Sequence, residues 1–147
     1  MQTVDIYVDT GIKGPKPRKG SYMYIVAMET SKGSADVGDM KTIEETTENR
    51  ATLIALEEAL KRIKKPCRLI IHLECSYVAT AFQRNWMSQW KNNDWKNARG
   101  KPVADAEKWQ AILYLLNAHE FSVCYKEPHT YREWMQRELG GKEQKNP

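Results

Sequence analysis

The sequence predicts an α/β protein: a five-stranded mixed sheet whose first three strands are antiparallel, with helices on both faces. Three observations predict it. Val4, Ile6 and Val8 recur with period two, the strand signature, and two further strand-like stretches follow over 21–30 and 34–45. From Asn49 the period lengthens to three and four, the apolar stripe of an amphipathic helix. Beyond that helix the run "RLIIHLE" has the Leu/Ile-rich composition of a strand buried between covered faces.

Taken in order, Val4, Ile6 and Val8 alternate with Asp5 and Tyr7 in a first strand that ends at Asp9. "TGIKGPKPRKG" is a Gly/Pro-rich loop that carries Lys13, Lys16, Arg18 and Lys19 without an acid. "SYMYIVAMET" reads as a second strand, and "SADVGDMKTIEE" as a third with weaker alternation. Three strands in hairpin order make an antiparallel sheet. Leu53, Leu56, Leu60 and Ile63 then line one helix face, with Thr47 or Asn49 able to cap its start. "KKPC" ends that helix. A strand reached through a helix runs parallel to its neighbour by a right-handed crossover. Glu74 is thereby expected at the carboxyl end of a central strand beside Asp9, the edge where open α/β sheets bind ligands. A helix over 76–92, a polar turn, a helix over 104–117, the strand "FSVCY" and a helix over 130–139 complete the pattern. One domain over 1–139 follows, with 140–147 a flexible tail.

Composition narrows the class. With 41% hydrophobic and 29% charged residues the 147-residue chain has the make-up of a soluble globular protein, and its apolar runs are too short to span a bilayer. No secretory leader opens it, so the cytoplasm is the expected compartment and no membrane partner is expected. Cys67, Cys75 and Cys124 form no C-x-x-C pair and read as reduced, mostly buried thiols. A net charge of +4 is compatible with an anionic partner, and its placement carries more information than its size.

That placement is uneven. Between residues 84 and 101, Arg84, Lys91, Lys96, Arg99 and Lys101 stand against the single acid Asp94, among Trp86, Trp90 and Trp95. Cations among aromatic and amide side chains suit a sugar-phosphate backbone. The same tryptophans, spaced four and five apart, also suit a helix stapled to its neighbour with solvated cations around it. Asp9 and Glu74 at adjacent strand ends suit a hard cation such as Mg²⁺, and equally a cap and a rim charge. His72, His119 and His129 show no ligand spacing and read as structural or surface residues.

Five stretches together resemble the ribonuclease H family, in its bacterial type I branch, from about Val4 to Leu139. "VDIYVDTG" is similar to the family's first strand; "TTENRATL" to its T-x-N-R-x-E-L; "LECSYV" to its T-D-S-x-Y-V; "VCYKEPH" to its V-x-G-H region. The segment "WMSQWKNNDWKNARGKPVADAEKWQ" resembles its basic handle, with Trp86, Trp90, Trp95 and Trp109 at the family's intervals and "GKPV" in place. The resemblance implies a ribonuclease H-like fold and a hydrolase that cuts the RNA strand of an RNA/DNA hybrid. It implies four carboxylates holding two Mg²⁺ or Mn²⁺ ions, a flexible His assisting turnover, and a handle gripping the DNA strand.

Carried over residue by residue, that site is degenerate. Asp9 matches the first carboxylate, but Thr52 stands where the second is a Glu, and Glu74 where the third is an Asp. Matching "REL" to the family's D-E-L puts Arg137 at the fourth, with Glu138 just after it as a substitute metal ligand beside Asp9 and Glu74. The preceding loop is short, so His129 matches the family's His loosely. The binding positions survive better: Lys13, Asn49, Arg50, Trp86, Trp90, Lys91, Trp95, Lys96 and Lys101. The reading is a protein that binds nucleic acid, an RNA/DNA hybrid or duplex, with cleavage impaired or lost. An active Mg²⁺- or Mn²⁺-dependent ribonuclease is the alternative, and a protein-interaction module a second.

Overall fold

The computed structural model of the chain describes the backbone of residues 1–144 and the side chains of residues 1–140. Strands β1 (Thr3–Thr10), β2 (Arg18–Thr30) and β3 (Gly33–Thr46) form an antiparallel meander. Helix α1 (Glu48–Lys61) carries the chain across to β4 (Arg68–Leu73), which pairs parallel with β1. Then come α2 (Ser76–Gln83), α3 (Trp86–Asn92), α4 (Ala106–Leu116), β5 (Glu120–Tyr125) and α5 (Arg132–Gln144). The sheet order is β3-β2-β1-β4-β5, so the fold is the five-stranded mixed sheet that the periodicity predicts.

The alternation of β1 sorts residues between two apolar layers. Val4, Ile6 and Val8 join Leu53, Leu56 and Leu60 of α1, Ile71 and Leu73 of β4, and Trp109 and Ile112 of α4 in the larger layer. Tyr7 joins Met23, Ile25, Met135 and Leu139 beneath α5 on the opposite face. Asp5 and Asp9 share the parity of Tyr7 and therefore belong to that second face. Thr47 supplies the cap of α1, its hydroxyl accepting from the Arg50 N–H at 3.2 Å, which resolves the choice between Thr47 and Asn49.

Several boundaries differ from expectation. β2 starts at Arg18, within the stretch expected to be loop. The helix predicted over 76–92 is two helices, because Asn85 adopts a left-handed conformation (φ 53°) that ends α2 and restarts the chain as α3. Asn is among the non-glycine residues that tolerate this region, since its short amide bonds locally. α5 starts at Arg132 and continues past Leu139 to Gln144, so part of the segment expected as tail is helical. Residues 145–147, the rest of that expected tail, lie outside the described residues.

The loop between β1 and β2 is anchored from below. Ile12 is buried against Gly20, where a Cβ would lie 2.0 Å from the Ile12 side chain, so only glycine admits this closure. Lys13, next to Ile12, is thereby held against Asp9 at the end of β1.

The break at Asn85 gives a test. Asn85→Val forces a β-branched residue into positive φ and is expected to cost about 1–2 kcal/mol. Asn85→Gly keeps the break and is expected to stay within about 0.5 kcal/mol of the parent. Urea denaturation of the three proteins measures both.

Candidate functional site

The parallel ladder of β1 and β4 pairs Val8 with Leu73 as its last partners, so the next residues, Asp9 and Glu74, emerge side by side. Both are buried, 5% and 8% exposed. Each carries its own counter-cation. Lys13 Nζ donates to Asp9 Oδ1 at 2.8 Å, and the Thr10 backbone N–H donates to the same oxygen at 2.8 Å. Arg132 donates to Glu74 Oε1 through Nε at 3.2 Å and Nη2 at 2.9 Å. Burial pushes the Glu74 carboxyl up and the Asp9 charge adds to the rise, against the opposing pull of Arg132 and Lys13.

Local bonds set these positions. Lys13 follows a tight turn in which the Thr10 hydroxyl donates to Ile12 O at 2.7 Å and the Gly14 N–H donates to Glu48 Oε1 at 2.9 Å. Gly14 sits at φ 94°. Arg132 is the first residue of α5, on the side that buries Met135 and Leu139.

The position of Arg132 corrects the sequence reading. Arg132, not Arg137, stands opposite Glu74. Arg137 and Glu138 lie five and six residues further along α5, about 140° and 240° around its axis. Both are exposed, and Glu138 therefore does not join Asp9 and Glu74 as a ligand. Thr52 is 2% exposed, and its hydroxyl donates to Glu48 O at 2.8 Å, turned back on its own helix.

This donor set does not fit a pair of divalent ions. Hard cations need several anionic oxygens. Here both carboxylates already hold a fixed cation, Lys13 on Asp9 and Arg132 on Glu74, and the Thr52 hydroxyl is engaged with a carbonyl. Among the described residues no group of three or more His, Cys, Asp or Glu is placed to hold a metal.

His129 is packed rather than poised. Its ring lies 4.3 Å from that of Tyr7 and 5.5 Å from that of His72, centroid to centroid. Burial, then His72 and Arg132, lower its pKa to about 4, so it is neutral near pH 7. His129, the loose match to the family's turnover His, is thus a half-buried ring packed on Tyr7. His72 contacts Asp5 Oδ1 through Nε2 at 2.8 Å and Cys124 Sγ through Nδ1 at 3.2 Å, and stacks on Tyr7. His119 Nδ1 accepts from the Cys67 N–H at 3.0 Å. Both have the structural roles their spacing predicts.

The nucleic-acid candidates divide into two groups. Trp86, Trp90 and Trp95 are half-buried in a ring ladder, Trp86–Trp90 at 6.1 Å and Trp90–Trp95 at 6.3 Å, which meets the buried Trp109 at 5.5 Å from Trp90. Arg50 ties α1 to the start of α4 through Asp105 at 2.9 Å and Glu107 at 2.5 Å. Asn49 accepts from Cys75 Sγ at 3.2 Å. These residues hold the fold together around the site. By contrast Lys91, Lys96 and Lys101, with Arg84 and Arg99, are exposed and have no ion-pair partner among the described residues. Asn97 shapes their loop, its Oδ1 accepting from the N–H groups of Arg99 at 2.9 Å and Lys101 at 3.1 Å.

The sequence profile of the RNase H family matches residues 1–133. The ribonuclease H of Acidiphilium cryptum (strain JF-5) is 33% identical over 126 residues, covering 86% of this chain and 75% of that protein. Among solved structures, LC9-RNase H1, described as a type 1 RNase H with the type 2 active-site motif, superposes with a TM-score of 0.75 at 18% identity, covering 95% of this chain and 69% of that one. LC11-RNase H1 in complex with RNA/DNA hybrid superposes with a TM-score of 0.61 at 16% identity, covering 96% of this chain and 99% of that one.

The neutral His129 predicts an acid-side loss of stability. A histidine whose pKa falls on folding binds its proton more tightly in the unfolded chain, so stability is full above pH 6.5 and declines as pH drops toward about 4. Thermal melts across this window are expected to show the parent losing stability relative to His129→Gln, with the difference levelling below about pH 4.

Proposed function

Because the chain belongs to the ribonuclease H family, we propose that it is a member that binds an RNA/DNA hybrid or duplex and has lost strand cleavage. The observation that carries this reading is that both buried acids at the sheet edge are already paired with fixed cations. Lys13 holds Asp9 and Arg132 holds Glu74, and the hydroxyl of Thr52, matched in sequence to the second carboxylate, is engaged with a carbonyl, whereas a metal pair requires free carboxylates. Bound Mg²⁺ or Mn²⁺ would activate water and stabilise the leaving oxygen. The residues present neutralise the two remaining acids instead.

The binding half of the proposal rests on the exposed cations Lys91, Lys96 and Lys101, held on a handle that the tryptophan ladder stiffens. Lysines that neutralise phosphates release counterions, which supplies affinity without reading sequence. A structural relative in complex with RNA/DNA hybrid supports the hybrid as the first ligand to try. No helix among the described residues is long and apolar enough to cross a membrane. The cytoplasm is the proposed setting.

Incubation of the protein with a labelled hybrid in Mg²⁺ and then in Mn²⁺ is expected to leave the RNA intact. Cleavage that disappears in Asp9→Asn would overturn the proposal. The combined variant Thr52→Glu, Glu74→Asp, Arg132→Asp restores four acids and is expected to gain metal-dependent cleavage. Lys91→Ala and Lys96→Ala are each expected to weaken hybrid binding and flatten the plot of log affinity against log salt by about 0.9.

A further inference from the structure

The two ion pairs at the sheet edge are layered. The acids lie beneath, 5% and 8% exposed, while the side chains of Lys13 and Arg132 above them are 57% and 28% exposed. Neither cation is used up. Lys13 gives one N–H to Asp9. Arg132 directs Nε and Nη2 at a single oxygen, Glu74 Oε1, which leaves Nη1 and the second Nη2 N–H. The nearby Glu48 is itself engaged by the Gly14 N–H at 2.9 Å. What the edge presents outward is therefore a set of N–H donors on an ammonium and a guanidinium, with their counter-charges buried below.

We infer that Lys13 and Arg132 form a metal-independent clamp for one backbone phosphodiester of the bound nucleic acid. Phosphate oxygens are matched by a guanidinium's fork geometry and by a compact ammonium. Lys13 stands on the β1–β2 loop, which Ile12 anchors over Gly20, and Arg132 is the first residue of α5, so the fold fixes both halves of the clamp. A further cation adjoins it: Arg18, at the start of β2, donates through Nη2 to the Lys13 carbonyl oxygen at 3.3 Å. The inference rests on the nucleic-acid-binding reading above, and it adds the contact made where a metal pair would otherwise meet the backbone.

The clamp has a test of opposite signs. Glu74→Gln keeps the side chain's shape and an acceptor for Arg132 but removes the buried negative charge. Hybrid binding is then expected to tighten about fivefold to tenfold, because Arg132 meets the phosphate uncompensated. Lys13→Ala is expected to weaken binding by a similar factor, and so is Arg132→Ala. Should Arg132→Ala fail to fold with Glu74 left unpaired, the double variant Arg132→Ala, Glu74→Gln replaces it. Affinity in EDTA is expected to match affinity in Mg²⁺ within about twofold, since no divalent ion takes part. Weakening by Glu74→Gln, or by EDTA, would overturn the clamp and point to a metal-bridged contact. Loss of affinity in Lys96→Ala with no response to Lys13, Arg132 or Glu74 variants would also overturn it, while leaving the binding reading in place. If no hybrid binds at all, the binding reading fails. The clamp is then decided by titrating inorganic pyrophosphate and following the Arg132 Nε–H resonance: a shift supports it and an unmoved signal rejects it.

Discussion

The parallel pairing of β1 with β4 is the constraint on which the rest depends. Its ladder closes with Val8 opposite Leu73, which leaves Asp9 and Glu74 adjacent at the rim of a buried sheet. Two carboxylates so placed repel each other and resist desolvation, which is why the Glu74 carboxyl is pushed up despite an arginine against it. A fold with this register needs positive charge at the same point. Here the chain supplies it from the segments on either side, the loop after β1 and the first residue of α5. The anchoring of Ile12 over Gly20 is part of that supply, because it fixes the loop from which Lys13 reaches Asp9.

The two faces of the sheet then divide the work. The larger apolar layer carries α1 and α4, and the tryptophan ladder extends it outward from Trp109 through Trp90 to the handle. Rings used this way stiffen the segment but leave little face for bases, so attraction to a ligand falls to the unpaired lysines. Arg50 contributes from inside, binding α4 to α1 rather than reaching outward. On the other face α5 covers Tyr7, Met23 and Ile25. That packing places Arg132 over Glu74 and presses His129 onto Tyr7, so one helix determines both the counter-charge and the neutral histidine.

Much of this was legible in the sequence because periodicity and crossover rules act locally. The alternation of Val4, Ile6 and Val8, the stripe from Leu53 to Ile63 and the run of β4 are enough to bring Asp9 and Glu74 to one edge. Arg132 was not legible. The short connection after β5 removes the spacing that would align α5 with its relatives, and the "REL" triplet draws the match to Arg137, which points to solvent. Which basic residue of "TYREWMQREL" faces the sheet depends on where the helix begins, and that is set by packing of Met135 and Leu139. The break at Asn85 was equally hidden, since an asparagine in an apolar-periodic stretch carries no breaker signal comparable to Gly or Pro. The tryptophans were ambiguous in principle, because a stripe that staples a helix and one that grips a ligand share the same spacing.

Charge balance connects the fold to its chemistry. Four carboxylates with two divalent ions carry no net charge, and two carboxylates with an ammonium and a guanidinium carry none either. Lys13 on Asp9 and Arg132 on Glu74 therefore leave neither buried acid uncompensated. The two arrangements differ in what a neutral edge can do. A divalent ion has open coordination positions that polarise water and an oxygen leaving group. Fixed cations have none. They keep directional N–H groups that match the geometry of phosphate oxygens. An edge of this kind presents directional N–H donors to an anionic backbone, with its own two acids already paired.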